Sequence, residues 1–150
     1  MKQTTNTLCA VLLLAACTVS ASAQKVQKTA LFRRYPSTIE ISATQLNQLF
    51  EAKQGQSKSL SLQGGLAISG PVISNVVKYS NLQTMAIRLP AFNNILFALA
   101  KRKEADNSIV FTGHLFSREF ADGYELKRIS ADTYQLVKVQ MAEMLPTCNQ

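Results

Sequence analysis

The chain has 150 residues, 47% of them hydrophobic and 17% charged, and carries 16 Lys and Arg against 9 Asp and Glu, a net charge of +7. That length fits one domain with enough chain for a real core. The basic excess favours anionic partners such as lipid headgroups, lipopolysaccharide, acidic glycans or an acidic protein face, and no nucleic-acid motif accompanies it.

The first segment reads as an export signal. Lys2 supplies a thin positive start, and Leu8 to Val19 is an apolar run without charge. The run is shorter than the roughly 20 residues that span a bilayer, and its length suits a signal core. Ala21-Ser22-Ala23 has the small-x-small form accepted by signal peptidase, so a cut there leaves Gln24 first. The rival is Leu14-Ala15-Ala16-Cys17, which resembles a bacterial lipobox and would make Cys17 a lipidated first residue. Leu8 to Leu13 is a short apolar core for that route, and no acidic or Lys-rich tag follows Cys17, so residues 1–23 are expected to leave as a signal and 24–150 to form one β-rich domain. The processed chain then has a charge near +6. Cys9 leaves with the signal, and Cys17 leaves or carries lipid, so Cys148 has no intramolecular partner.

Gln24 to Arg34 reads as an extended lead-in, and Pro36 biases Tyr35 away from helix. Ser42 to about Lys53 is the clearest helix: Ser42 with Gln45 makes a capping box, and Ile41 with Leu46 a hydrophobic staple. Leu46, Leu49 and Phe50 form its apolar stripe, and Gly55 suits the residue past its end. From Ser57 the period shifts to two. A three-residue loop, Gln63-Gly64-Gly65, would set Leu60 opposite Ile68 and Leu62 opposite Leu66. Pro71 is expected to break this run before a strand over Val72–Tyr79 and a turn at Ser80-Asn81. Met85, Ile87 and Leu89 alternate, Ala91 to Asn94 is a loop, and Ile95 to Lys103 reads as a central strand. Glu104 to Asn107 is turn chemistry, and Ile109, Phe111 and Leu115 share the next strand's face, where Gly113 marks a bulge or a close backbone contact.

The pattern D-x-Y-x-L-x-[K/R] occurs at Asp122–Arg128 and again at Asp132–Lys138. It predicts one hairpin turning at Ser130-Ala131-Asp132, with Leu126 opposite Leu136, Arg128 opposite Tyr134 and Lys138 opposite Tyr124. Val139 to Leu145 reads as a short closing helix. The sum is an α+β, mainly β domain: an antiparallel meander of six to eight strands forming a curled sheet or small barrel, with one N-terminal helix and a short C-terminal one.

Chemistry-bearing clusters are sparse. His114 is the single histidine, and it shares a strand face with Val110, Thr112 and Phe116. No Cys, Asp or Glu set with ligand spacing accompanies it, so no metal or cofactor is expected. Glu119, Asp122 and Glu125 are the densest carboxylates and flank a turn, and a hydrolase would need two of them facing across a cleft. Gly64-Gly65 lacks the strand-to-helix context of a phosphate loop. The residues offered to an anionic partner are Lys101, Arg102 and Lys103 at a hairpin tip, with Arg128, Lys138, Tyr124 and Tyr134 from the repeated hairpin.

The runs NLQTMAIRL, FNNILFAL, ADNSIVFTGHLFS, ADGYELKR and DTYQLVK, within Leu60 to Leu145, resemble small exported bacterial proteins of uncharacterised function. The resemblance implies export and carries no catalytic motif. Phe111 to Ser117 followed by a hairpin is similar to the β-rich pro-regions of secreted metalloproteases. The expected function is a non-enzymatic binding domain, periplasmic or secreted, meeting a protein or an anionic surface. The alternatives are a barrel carrying an apolar ligand, a pro-region-like protease inhibitor, a small hydrolase, and, for location, a lipid-anchored protein through Cys17.

Overall fold

The computed structural model describes residues 28–144. The expected export segment, both cut positions and Cys148 lie outside the described residues. Eight strands run in chain order: β1 (Thr38–Ser42), β2 (Ser57–Ser61), β3 (Ala67–Tyr79), β4 (Leu82–Leu89), β5 (Ile95–Lys103), β6 (Ile109–Leu115), β7 (Asp122–Arg128) and β8 (Thr133–Gln140). They form one antiparallel sheet in the order β1-β8-β7-β6-β5-β4-β3-β2, curled into a half-barrel. Helix α1 (Ala43–Phe50) follows β1, and a single helical turn, α2 (Met141–Met144), follows β8. The chain thus meanders from β2 to β8, as the period-two pattern predicts, and β1 joins the far edge beside β8.

The alternation of apolar residues explains the curl. Met85 pairs with Leu99, Ile87 with Phe97 and Leu89 with Ile95, so one face of β4 and β5 is continuous hydrocarbon. That face turns inward and receives Leu46, Leu49 and Phe50 from α1, all buried. Each such side chain contributes about 1.5–3 kcal/mol when fully buried. The inner faces of the other strands join the same buried cluster, together with Phe32 and Phe92.

Helix α1 begins as its sequence predicts. The Gln45 N–H donates to Ser42 Oγ at 3.1 Å, and the Ser42 N–H donates to Gln45 Oε1 at 2.9 Å. Its end is a correction, for helical geometry stops at Phe50 and not near Lys53. Asn75 of β3 supplies the reason: its Nδ2 donates to the carbonyls of Phe50 at 2.9 Å and Ala52 at 2.7 Å. Those carbonyls are satisfied by the sheet and need no further helical turn.

Pro71 is a second correction. It does not break the strand, because β3 runs through it to Tyr79. Val72 N–H donates toward the β2 side, to Gln56 O at 2.8 Å, so the neighbouring Pro71 nitrogen faces the β4 side. The ladder with β4 starts only at Val72, and a register shift follows before Ser74. The missing N–H therefore falls where no ladder bond is lost. At the chain's end, β8 extends to Gln140 and leaves only Met141–Met144 helical, later than the expected start at Val139.

The two predicted three-residue turns are present. Leu60 pairs with Ile68 across Gln63–Gly65, where Gly64 has φ +73°. Leu126 pairs with Leu136, Arg128 with Tyr134 and Tyr124 with Lys138 across the turn at 130–132. Gly113 makes the close contact and not the bulge: β6 keeps its register, and a Cβ there would come 2.6 Å from the Ala98 carbonyl oxygen and Leu99 Cδ2.

An antiparallel meander has two ends. The turns at 80–81, 104–107 and 129–132 lie at one, here the rim. Those at 63–65, 90–94 and 116–121 lie at the other, the base. Residues 29–36 close the base, in a bend rather than the expected extended lead-in: Tyr35 N–H donates back to Phe32 O at 3.0 Å, and Ala121 N–H donates to Thr29 O at 3.0 Å. Phe32 packs there against Phe92 and Tyr124, each at 5.2 Å between ring centroids.

Candidate binding rim

The structure divides the residues offered to a partner between the two ends. Lys101, Arg102 and Lys103 end β5 at the rim, and Arg128 ends β7 there. Tyr124 and Lys138 lie toward the base, and Tyr134 lies in the core. Tyr124 and Tyr134 have no solvent exposure. The Tyr124 hydroxyl donates to the Pro36 carbonyl, and the Tyr134 hydroxyl accepts the Phe111 N–H at 3.2 Å. Burial, with Asp122 second and Tyr35 third, pushes the Tyr124 phenol up to about 12. Lys138 Nζ donates to the carbonyls of Phe32 at 2.8 Å and Tyr35 at 2.6 Å. Tyr124 and Lys138 thus hold the lead-in to the half-barrel, and Tyr134 ties β8 to β6.

The run Lys101-Arg102-Lys103 is not one patch. Alternation puts Lys101 and Lys103 on the inner side with Phe111 and Ile109, and Arg102 on the outer side with Val110. Arg102 is bound by Glu104, Nε to Oε1 at 2.7 Å. Lys101 lies over the Phe50 ring, with Nζ 6.0 Å from its centroid, so its stem covers the end of α1 while its charge meets solvent.

Sequence reasoning missed the apolar half of this rim. Among the described residues, five large hydrophobic side chains are exposed, and four belong to the rim: Val76, Val77 at 67%, Tyr79 at 68% and Ile129. The exposure of Val76, Val77 and Tyr79 follows from the length of β3, whose last residues run on past Asn75, where the sheet holds the end of α1. Val77, Tyr79 and Ile109 line one shallow depression of about 210 Å³ with Gln83, Lys101 and Lys103. No acidic side chain lines it. The sequence reads Val77 only as part of the strand Val72–Tyr79, and the missing cover over the end of β3 reveals it as surface.

The other candidate chemistry is dispersed. Asp122 is buried on the inner side and accepts the N–H groups of Leu31 at 2.6 Å and Phe32 at 3.1 Å. Glu125 points from the outer side of the same strand and pairs with Lys127 at 2.6 Å. Glu119 is exposed in the connection after β6. Asp122 and Glu125 therefore do not face each other. His114 is exposed on the outer side, stacked on Phe116 at 4.5 Å and opposite Glu125 in the ladder. Partial burial lowers its pKa, and Glu125 opposes that shift. It borders a shallow outer depression of about 510 Å³ floored by Ala86, Ala98 and Ala100. No group of three or more His, Cys, Asp or Glu converges to hold a metal among the described residues. The concave face is filled by α1 and its apolar stripe.

Compared with known proteins, the chain finds no counterpart: no family model, no curated protein and no solved structure matches it.

Proposed function

We propose that the protein is an exported, non-enzymatic binding domain of the bacterial envelope or secreted fraction, and that it meets an anionic partner with the rim of its half-barrel. The observation that carries this reading is the concentration of exposed Val77 and Tyr79 beside Lys101 and Lys103, in a depression without an acidic side chain. Exposed apolar groups are usually scattered singly, and a cluster bordered by one sign of charge marks a contact surface. The apolar run Leu8–Val19 and the small-x-small site at Ala21–Ala23 support export.

Two measurements test this. The intact mass of the protein from its native host reads the processing: a chain starting at Gln24 in a soluble fraction fits a secreted or periplasmic protein. A chain starting at Cys17 with acyl groups moves it to a membrane anchor, and an unprocessed chain in the cytoplasm overturns export. For the rim, the purified protein is mixed with isolated envelopes of that host, beside the variant Lys101→Glu/Lys103→Glu. Salt-sensitive binding that the variant loses is the expected result. Absence of binding, or equal binding by the variant, overturns the docking reading.

A further inference from the structure

We infer that the anionic partner of the rim is a phospholipid surface, with Tyr79 and Val77 entering the headgroup layer and Lys101 and Lys103 meeting its phosphates. This rests on the docking reading above and names its partner.

Three features favour lipid over a protein face. The rim depression is small and open, about 210 Å³, and offers no deep pocket for the well-packed central side chains that anchor a stable protein interface. A bilayer needs no such pocket; it takes exposed apolar side chains at the tip of a rigid element. The side-chain types also suit the layered chemistry of a membrane surface. Tyrosine places an apolar ring and a polar hydroxyl at headgroup depth, and the exposed valine two residues behind it adds apolar surface to the same layer. Lysine is a mobile point charge on a long stem, suited to fluid phosphates that offer no fixed geometry.

The third feature is the placement of the cations around the apolar tip. Lys78 is exposed between Val77 and Tyr79 in β3. The Lys103 N–H donates to Asn81 O at 2.8 Å, which ties the end of β5 to the β3–β4 turn. Positive charge therefore lies on the tip and beside it, while the carboxylates of the neighbouring 104–107 turn are engaged, Glu104 by Arg102 and Asp106 by the Ser108 N–H at 2.9 Å. Arg102 is committed to Glu104 and is not part of this set.

The test is co-sedimentation of the purified protein with vesicles of phosphatidylcholine alone or of an equimolar mixture with phosphatidylglycerol. The chain has no tryptophan, and Tyr79 is the most exposed tyrosine that the structure describes, so quenching by lipid brominated on its chains reports its depth. The expected result is binding to phosphatidylglycerol vesicles, falling roughly ten- to thirtyfold in Lys101→Gln/Lys103→Gln. Tyr79→Ser/Val77→Ser should also weaken binding, and Tyr79→Ser should abolish the quenching. All four positions are at the surface, and unchanged thermal unfolding of the variants verifies their fold. Binding to the vesicles that none of the variants reduces overturns the assignment of the site. Failure to bind these vesicles, with envelope binding still dependent on Lys101 and Lys103, overturns the lipid and leaves the docking reading standing. Failure of both overturns both.

Discussion

The buried carboxylate of Asp122 receives the Phe32 N–H at 3.1 Å on each of its two oxygens, from ninety positions earlier in the chain. The Leu31 N–H reaches the same carboxylate at 2.6 Å. Lys138 takes the carbonyls of the same bend, so the lead-in is held by its N–H groups on one side and its C=O groups on the other.

Removing either member should loosen the base. Asp122→Ala leaves two N–H groups without their charged acceptor and should cost about 2–3 kcal/mol. Lys138→Met should cost about 1–3 kcal/mol by the same argument. Urea unfolding measures both. Limited proteolysis should cut the Arg33-Arg34 region of either variant faster than the parent, because both residues are already exposed and only the bend protects them.

Tyr124 should resist ionisation. Its phenol is raised from 10.0 to about 12, so the neutral form is favoured by folding. The stability it contributes is fully present below pH 10 and is lost as pH rises toward 12. A spectrophotometric tyrosine titration should show a late-ionising group that disappears in Tyr124→Phe.

His114 works in the other direction of pH. Its pKa lies below 6.5, so the unfolded chain takes up the proton first as pH falls. The stabilisation is present above pH 6.5 and is lost as pH drops through the folded value. The parent should therefore lose more stability than His114→Gln between neutral and mildly acid pH. Thermal unfolding of the two across that range, giving a constant difference, would contradict it.

Gly70 should tolerate no side chain. A Cβ there would lie 1.9 Å from the Arg88 carbonyl oxygen and 3.0 Å from Pro90 Cδ. The obstacle is backbone, so Gly70→Ala should cost about 1–3 kcal/mol, whereas Gly65→Ala meets no atom and pays only for its φ of +77°. Paired denaturant melts of the two variants separate close approach from turn strain.

Much of this fold is determined by local chemistry that a sequence carries openly. The capping box of Ser42 and Gln45 needs only four residues, and both three-residue turns follow from the parity of neighbouring apolar positions. The Asp122 and Asp132 echoes specify their own hairpin, down to Tyr124 opposite Lys138, because a side-chain period of two fixes the parity and the three-residue loop at 130–132 fixes the register. Tertiary structure decided the rest. Helix α1 stops at Phe50 because Asn75, twenty-five residues later, takes its last carbonyl. Pro71 stays within a strand because its missing N–H faces β4 just before that ladder begins, where there is no bond to lose. The candidate site shows the same division. The charges of Lys101 and Lys103 are plain in the sequence, but Val77 there is one more apolar residue of a strand. It becomes a surface only because β3 outruns the helix that covers the sheet, and burial depends on which element arrives from elsewhere in the chain.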